Sequence, residues 1–181
     1  MSRLAIHPSS SSAAPTLVTS DGARIAQELE KVGVRFERWE ATAKLAASAG
    51  QDEVLAAYAK DVERLRQIGG YKSQDVVRMH PDHPDREAAR AKFLAEHIHE
   101  DDEVRFFVEG SGTFFLHIGD TVYEILCEKD DLLSVPAGTK HWFDMGERPL
   151  FAAIRIFISP DGWVAKFTGD TIATRFVHEA A

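Results

Sequence analysis

The sequence predicts a mostly β fold of the α+β class, in which N-terminal helices flank an antiparallel β-barrel or sandwich. After residue 97, short runs of β-branched and aromatic residues alternate with turn residues, a spacing typical of such barrels. These runs cover residues 104–109, 113–117, 121–126, 132–135 and 150–158. Before that point, apolar residues mostly recur at the three- and four-residue intervals of helices. We therefore expect a single domain over residues 1–181, with a mainly helical part (1–96) packed on a β core (97–181).

Capping and turn residues place three helices in the N-terminal part. The first follows the Ser-Asp pair at residues 20–21, a good N-cap, and stops at Gly33. A short strand over residues 34–39 is expected next. The second helix covers residues 52–66, where apolar side chains form one face. The third begins near Pro84, because proline is favoured in the first helical turn.

Composition and charge argue against several functions. The chain has 181 residues, enough for one domain with a full-sized core, and a formal net charge of −8. An acidic surface repels phosphate backbones and anionic lipids, so we expect no nucleic-acid or membrane partner. The N-terminus lacks the apolar region of a secretory signal, and no segment approaches the ~20 apolar residues of a membrane span. We therefore expect a cytoplasmic protein. The single cysteine, Cys127, cannot form an intrachain disulfide, which fits a reducing compartment.

Residues 96–103, with the sequence Glu-His-Ile-His-Glu-Asp-Asp-Glu, predict a metal site. His97 and His99 are two residues apart, so a strand would place both imidazoles on one face. Glu103 lies at a further even offset, and His141 follows a Pro-x-Gly turn that can aim it at the same point. Imidazoles combined with one carboxylate are a standard donor set for Fe(II), Mn(II), Co(II), Ni(II) or Zn(II).

The other histidines are interpreted as surface or core residues, because a lone histidine is more often one of these than a ligand. This interpretation applies to His7, His80, His83, His117 and His178. The compound pattern around the four candidate ligands is far more specific than any single histidine. It adds Gly110, seven residues after the glutamate, and the Pro-x-Gly-x-x-His sequence at residues 136–141.

This compound pattern resembles the two sequence motifs of the cupin superfamily. The first motif matches His97, His99, Glu103 and Gly110, and the second matches Pro136, Gly138 and His141. Gly110-Ser111-Gly112 is expected to lie in a hairpin. The chain departs from the usual motifs at three positions that are not ligands. These are Ala91 and Asp130, where glycine is usual, and Met145, where asparagine is usual.

Other segments resemble one cupin branch, the acireductone dioxygenases. The resemblance extends from about residue 20 to about residue 170 and is carried by residues 33–39, 93–97, 102–110, 116–120, 135–146 and 155–157. It implies a cupin-type antiparallel β-barrel, or jelly roll, with N-terminal helices. It also implies a monomer that binds one Fe(II) or Ni(II) ion per chain, with Co(II) or Mn(II) as substitutes.

The activity implied by this resemblance is the cleavage of acireductone, 1,2-dihydroxy-5-(methylthio)pent-1-en-3-one, by O2 in methionine salvage. In the family, the Fe(II) form gives 4-methylthio-2-oxobutanoate and formate. The Ni(II) form gives 3-methylthiopropanoate, formate and CO. The expected partners are therefore a small-molecule substrate and O2.

Three charged residues beside the ligands are candidate catalytic residues. Arg105 would share the interior face with Glu103, and a buried guanidinium needs an anionic partner. That partner is the substrate dianion, as the resemblance implies, or Glu103 in a structural pair. Glu96 and Asp102 match family positions linked to metal incorporation and to the relay of local conformational change. The alternative for both is a carboxylate that orients a ligand histidine.

Several side chains are candidates for the wall of a substrate pocket. The aromatic candidates are Phe93, Phe107, Phe143 and Trp163. Phe107 and Phe143 lie at even offsets from ligands, although packing in the core is the default for any single aromatic residue. Arg155 interrupts an apolar strand and is either a second substrate-side cation or a member of a buried ion pair.

Two other functions use a similar ligand set. A cupin sugar-phosphate isomerase needs cations for the phosphate and no O2, whereas the aromatic residues near the ligands favour an apolar pocket. A cupin that only binds a ligand or regulates transcription usually carries a helix-turn-helix and a basic patch. The N-terminal helices are acidic, and no recognition helix stands out among them.

Overall fold

The structure is a computed structural model that describes residues 1–46 and 48–176. Helices in this part of the chain are α1 (Gly22–Glu30), α2 (Gln51–Ala57), α3 (Ala59–Gly69), α4 (Arg86–Phe93) and the 3₁₀ helix η1 (Ile172–Arg175). Its strands are β1 (Arg3–Pro8), β2 (Leu17–Thr19), β3 (Arg35–Arg38), β4 (Ser73–Met79), β5 (His97–Ile98), β6 (Glu103–Ile118), β7 (Thr121–Glu128), β8 (Asp131–Val135), β9 (Lys140–Asp144), β10 (Phe151–Phe157) and β11 (Lys166–Phe167).

Two groups of antiparallel strands share the long strand β6. The first half of β6 pairs with β10 and β8, which gives the order β4-β10-β6-β8-β3. The second half pairs with β7 and β9, which gives the order β11-β5-β9-β6-β7-β1-β2. The main core lies between the two groups, where Phe107 and Leu133 of the first pack with Leu116 and Ile125 of the second. The predicted mostly β, antiparallel fold is confirmed.

The sheet does not close into a complete barrel. Among the described strands, β2, β3, β4 and β11 each pair on one side only, so the ladder ends at these four edges. The expected barrel is therefore an open jelly-roll arrangement. Its two groups of strands are joined through β6 instead of through a continuous ring of hydrogen bonds.

Gly110 lies at the bend where β6 passes from one group of strands to the other. Its φ is +61°, and a Cβ at this position would lie 1.7 Å from the carbonyl oxygen of Leu150. The register with β10 shifts close to this point, between Ala152 and Ala153. The predicted hairpin is therefore wrong, because the segment bends within one continuous strand. Glycine occurs both in turns and in bends within strands, so its presence in the sequence does not distinguish the two.

The N-terminal part contains more strand than the sequence predicts. The three expected helical segments are present, but the second is divided at Tyr58 into α2 and α3. The expected short strand is β3, whereas β1, β2 and β4 are not predicted. Since β1 pairs with β7 and β4 pairs with β10, this part of the chain extends both groups of strands. The description of residues 1–96 as mainly helical is therefore incomplete.

Asp130 shows how the chain accommodates a departure from the cupin motif. It has a φ of +81°, in the left-handed region that favours glycine. Its side chain compensates by accepting a hydrogen bond from the Ala41 amide at 2.8 Å, while its carbonyl accepts one from the Trp39 amide at 2.7 Å. Aspartate is one of the few residues that tolerate this conformation. The substitution therefore leaves the turn between β7 and β8 intact.

Cys127 is a free, fully buried thiol, and burial raises its pKa well above the ordinary value. Within the part of the chain that the structure describes, no helix is long and apolar enough to cross a bilayer.

Candidate metal centre

Three buried histidines converge on one point inside the fold. His97 on β5 is the register partner of His141 on β9, and His99 follows β5 directly. Each offers a ring nitrogen, and these three nitrogens lie within 4.8 Å of one another. The residues are 5%, 2% and 4% exposed, respectively. The strand spacing and the Pro-x-Gly turn thus bring together the three histidines that the sequence singles out.

Backbone carbonyls fix the orientation of all three rings. The Nδ1 atoms of His97 and His141 lie 2.7 Å from the carbonyl oxygens of Ala95 and Thr139. That of His99 lies 3.2 Å from the carbonyl oxygen of Val164. A carbonyl can only accept, so each Nδ1 carries the proton and each Nε2 keeps its lone pair. This is the tautomer that a metal-binding histidine needs.

Glu103 supplies a carboxylate to the same point. Its Oε2 lies 3.3 Å from Nε2 of His99 and 3.4 Å from Nε2 of His141. Both Oε2 and the His141 Nε2 are buried and have no hydrogen-bond partner among the described residues. Such unsatisfied atoms cost free energy in a finished fold, and a cation between them would satisfy both. The three imidazoles and the carboxylate therefore fit a divalent metal ion.

The electrostatics keep these groups in the protonation state that binds metal. Burial lowers the pKa of His97 to about 3, with a further contribution from His141, and burial also lowers the pKa of His99. Burial opposes ionisation of Glu103, but the positive charge of Arg105 outweighs this effect and holds the pKa of Glu103 well below its usual range. At neutral pH the imidazoles of His97 and His99 are neutral and Glu103 is a carboxylate, as coordination requires.

A cavity of about 390 Å³ opens beside these ligands. Its lining includes His97, His99, Phe93, Arg105, Arg155, Trp163, Val164 and Phe167. Arg105 is almost completely buried, and its Nε donates to Glu103 Oε1 at 2.6 Å. Its guanidinium carbon lies 4.7 Å from the ring centre of Phe114 and 4.9 Å from that of Phe143. Its Nη1 finds no hydrogen-bond partner in the described part of the chain.

The predicted pocket residues divide into two sets. Phe93, Arg155 and Trp163 line the cavity. Phe107 and Phe143 are fully buried in the hydrophobic core instead, so their placement in the pocket wall needs correction. An even offset from a ligand puts a residue on the interior face of the sheet, but it does not say whether that part of the interior is cavity or core.

The hydrogen bonds that Glu96 and Asp102 make within the described residues go to groups other than the rings of the ligand histidines, so they do not fit the alternative of a carboxylate that orients a ligand histidine directly. Glu96 is buried, and its carboxylate contacts Nδ1 of His117 at 2.8 Å and the hydroxyl of Thr168 at 2.7 Å, away from the ligand histidines. Asp102 accepts a hydrogen bond from the amide of Ala137 at 2.8 Å, within the turn that precedes His141. Asp102 therefore acts on a ligand only through the backbone.

The remaining histidines have other surroundings. His7 lies 3.1 Å from a carboxylate oxygen of Glu124, and His80 packs against His83 in the loop before α4. His117 contacts Glu96, and His178 lies outside the described residues.

Sequence reasoning missed two contributors to the site. The first is the set of backbone carbonyls that hold the histidine rings, which carry no side-chain signal. The second is Asp75 on β4, which binds Arg155 through two hydrogen bonds of 2.8 and 2.5 Å. Arg155 is thus an ion-pair member and also lines the cavity. Asp75 would have been found only if β4 and its register with β10 had been predicted.

Comparison with known proteins identifies the family. A sequence model described as the ARD/ARD' family matches residues 7–165 of the chain. The chain belongs to this family. Acireductone dioxygenase from Stenotrophomonas maltophilia (strain K279a) is 58% identical over 176 residues, which cover 97% of this chain and 95% of the relative. That from Pseudomonas aeruginosa (strain PAO1) is 56% identical, with 97% of both chains covered. At this identity and coverage, this chain is an enzyme, an oxidoreductase with acireductone dioxygenase activity.

A solved structure extends the similarity to the fold. Acireductone dioxygenase from Bacillus anthracis, with a cadmium ion in its active centre, superposes with a TM-score of 0.79 and 30% sequence identity. The match covers 92% of this ARD/ARD' family chain and 98% of the Bacillus chain. That relative therefore has a metal in its active centre.

Proposed function

We propose that His97, His99, Glu103 and His141 bind one Fe(II) or Ni(II) ion, and that the enzyme uses it to cleave acireductone with O2 in methionine salvage. The observation that carries this proposal is the convergence of three Nε2 atoms and one carboxylate oxygen beside a cavity. Co(II) or Mn(II) would fit the same donors. The metal in the Bacillus relative supports the assignment of this site as the active centre.

When bound, the metal supplies a template for the enediol oxygens and stabilises their negative charge. Arg105 places a second positive charge on the same cavity, where it is held by Glu103 and by two aromatic faces. Because the guanidinium is buried and keeps free donors, it is suited to bind and stabilise the substrate dianion. The pair with Glu103 and the role toward substrate are therefore compatible.

The apolar side of the cavity suits the methylthio tail of acireductone. Phe93, Trp163, Val164 and Phe167 offer carbon surfaces at this side. Trp163 and Phe167 are 48% and 53% exposed, so they lie at the mouth of the cavity, where bound substrate would cover them. Exclusion of water by such a ligand strengthens the electrostatic contacts inside.

The product set depends on the metal. The Fe(II) form is proposed to give 4-methylthio-2-oxobutanoate and formate, and the Ni(II) form 3-methylthiopropanoate, formate and CO. Both sets contain all the atoms of acireductone and O2. The identical protein ligands imply that metal availability, instead of the fold, selects the pathway.

Two carboxylates outside the ligand set have proposed supporting roles. Asp102 joins the loop after His99 to the turn before His141, so it can transmit a shift of one ligand to the other. The same loop and turn are linked a second time by the Gly138 amide, which donates to the His99 carbonyl at 2.9 Å. Glu96, next to His97 in the chain, is proposed to assist metal incorporation. We also propose that the enzyme is a cytoplasmic monomer, as its reduced, buried Cys127 allows.

Activity of metal-reconstituted protein tests this function. The protein would be stripped of metal, reloaded separately with Fe(II) or Ni(II), and mixed with acireductone under air. We expect metal-dependent substrate loss and formate from both forms, and CO from the Ni(II) form only. His97→Ala should lose this activity, whereas the matched control His80→Ala, at an exposed loop position, should keep it. Substrate loss no faster than in metal-free buffer, in protein that still binds metal, would reject the proposal.

A further inference from the structure

Three charged residues lie side by side on the adjacent strands β4, β10 and β6, and the two arginines among them line the cavity. In the register of the sheet, Asp75 on β4 is opposite Arg155 on β10, and Arg155 is opposite Arg105 on β6. Glu103, two residues before Arg105, completes the row at the metal ligands. The row therefore runs from a carboxylate at the outer edge of the sheet, through two guanidiniums, to the carboxylate of the centre.

Each guanidinium is held by one carboxylate. Asp75 accepts from Nε and Nη2 of Arg155 at 2.8 and 2.5 Å, and Glu103 accepts from Nε of Arg105 at 2.6 Å. Both arginines line the cavity. Nη1 of Arg105 is buried without a hydrogen-bond partner within residues 1–46 and 48–176. A buried donor on a charged group, next to a cavity, is a direct indication that an anionic ligand completes its contacts.

Two cations directly opposite each other on neighbouring strands repel, and this arrangement is destabilising without compensation. Arg105 and Arg155 form such a pair, because they are register partners on β6 and β10. The fold keeps the two cations together by placing a carboxylate at each end of the row. Two adjacent guanidiniums therefore face the cavity, where they can bind a negatively charged ligand.

We propose that Asp75 is a positioning residue, which holds the Arg155 guanidinium beside that of Arg105 so that the two together bind the anionic oxygens of the substrate. The inference rests on the proposed function, since it names the anionic enediol as the ligand. With a divalent ion in the centre, the two carboxylates offset the two guanidiniums. The positive charge that remains equals the charge of the metal and matches a dianion.

Binding without turnover tests this proposal. Acireductone would be titrated under argon into the Ni(II)-loaded full-length protein, and the dissociation constant would be read from the absorbance of the enediolate. We expect Arg155→Gln to weaken binding about tenfold or more, because a charged hydrogen bond to an anion is lost. Asp75→Asn should weaken binding about threefold or more, whereas Asp75→Glu, which keeps the carboxylate, should restore most of the affinity.

A double variant separates positioning from a structural role. Asp75 is proposed to act through Arg155, so Asp75→Asn should have no further effect on the dissociation constant in the Arg155→Gln protein. If the two substitutions caused independent structural defects, their effects on the dissociation constant would instead multiply. In air, the single variants should raise KM more than they lower kcat, since the contact already exists in the bound substrate.

The matched control is Arg78→Gln. Arg78 is on β4, has a comparable side-chain exposure (17%, against 13% for Arg155), and donates to the Glu109 carboxylate at 2.8 and 3.1 Å. It belongs to a similar ion pair away from the described cavity lining, so its loss should leave the dissociation constant within twofold. Metal content and the unfolding midpoint would be measured for every variant.

The outcomes distinguish this inference from the function on which it rests. If the unaltered protein, loaded with metal, neither binds nor cleaves acireductone, the proposed function fails and this inference with it. If that protein binds acireductone but Arg155→Gln and Asp75→Asn bind it equally well, the function stands and the positioning role is overturned. If the double variant binds more weakly than either single variant, with the two effects on the dissociation constant multiplied, the positioning role is also overturned.

Discussion

At the scale of single residues, ring orientation decides what the three histidines can bind. Each Nδ1 is engaged by a carbonyl of the chain, so each Nε2 faces the common point with its lone pair available. Little reorganisation is needed when a metal enters, because burial has already selected neutral imidazoles at His97 and His99. The histidine rings are therefore already oriented in the folded, metal-free protein.

The metal-free protein should lose stability in mild acid because of His97. When unfolded, this histidine takes up a proton near its ordinary pKa of 6.5, but when folded it does so only near 3. Its contribution to stability is therefore present above pH 6.5 and is lost as the pH falls from 6.5 towards 3. Between pH 7 and pH 5 the loss is about 2 kcal/mol.

Urea unfolding of apoprotein at the two pH values measures this effect. His97→Gln should remove about 2 kcal/mol of the difference in unfolding free energy between pH 7 and pH 5. The matched control is His80→Gln, at an exposed position. An identical pH dependence in the His97→Gln protein would contradict the assigned pKa. Glu103 contributes little in this window, since its loss of stability begins below its ordinary pKa of 4.5.

Glu103 should be required for metal affinity, not only for the position of Arg105. Glu103→Gln removes the negative charge and should weaken Fe(II) or Ni(II) binding more than about 100-fold, since changes outside the ligands alone cost up to that factor. The control is Glu100→Gln, in the loop just before β6, where the exposed carboxylate pairs with Lys166. Competition with a chelator measures both affinities, and equal values would remove Glu103 from the ligand set.

Residues whose role follows from a side-chain pattern are the ones that sequence reasoning predicts well. The four candidate ligands come together as expected, because two-residue spacing and a Pro-x-Gly turn have few structural outcomes. The Val164 carbonyl that orients His99 comes from a distant segment and has no side-chain signature. Phe107 lies on the expected interior face, but the depth of the cavity depends on the packing of whole strands.

At the scale of elements, the bend in β6 holds the two groups of strands together. Both flanking halves depend on the close approach of Gly110 to the Leu150 carbonyl. A methyl group at this position would meet backbone, which cannot move aside as a flexible side chain can. The bend is therefore a point where one small substitution should affect both sides of the core.

Gly110→Ala should destabilise the protein by about 2–4 kcal/mol, from about 1 kcal/mol of left-handed strain plus 1–3 kcal/mol of overlap. Gly119→Ala is the matched control. It has nearly the same φ, +60°, but a Cβ there meets nothing within 4 Å among the described atoms, so only the strain of about 1 kcal/mol applies. Chemical denaturation compares the two, and equal losses would show that the close approach is not decisive.

The turn before β9 is held to the His99 loop by Asp102. Asp102→Ala removes the acceptor for the Ala137 amide and should weaken metal binding about tenfold, because His141 loses support from the backbone. Asp102→Asn keeps an oxygen at this position and should retain most of the affinity. If the two variants have the same metal affinity, the hydrogen bond does not position His141.

Elements with a strong periodic pattern of apolar residues could be predicted from the sequence. Strands that form by pairing with a neighbouring strand, without such a pattern, could not. The helix pattern at residues 52–66 is present, although the chain breaks at Tyr58, where the backbone leaves the helical region. Strand β4 is half-buried along its whole length, so it lacks the alternation by which a strand is recognised. It forms a strand by pairing with the outer edge of β10.

At the scale of the whole molecule, charge is distributed unevenly. The chain carries a formal net charge of −8, yet the cavity is lined by Lys92, Arg105 and Arg155. The cavity thus concentrates positive charge at the place where, in the proposed function, an anionic enediol would bind. Neither composition nor net charge reveals this contrast, because it depends on which side of the fold each residue occupies.

The proposed activity requires one metal ion per chain, bound by His97, His99, Glu103 and His141 at the active centre. The most direct measurement is a titration of metal-free protein with Fe(II) under argon, followed by assay of acireductone consumption in air at each ratio. We expect activity to rise linearly and to stop rising at one Fe(II) per chain, and we expect no rise in His141→Ala. Full activity without added metal, or an unchanged titration curve in that variant, would contradict this expectation.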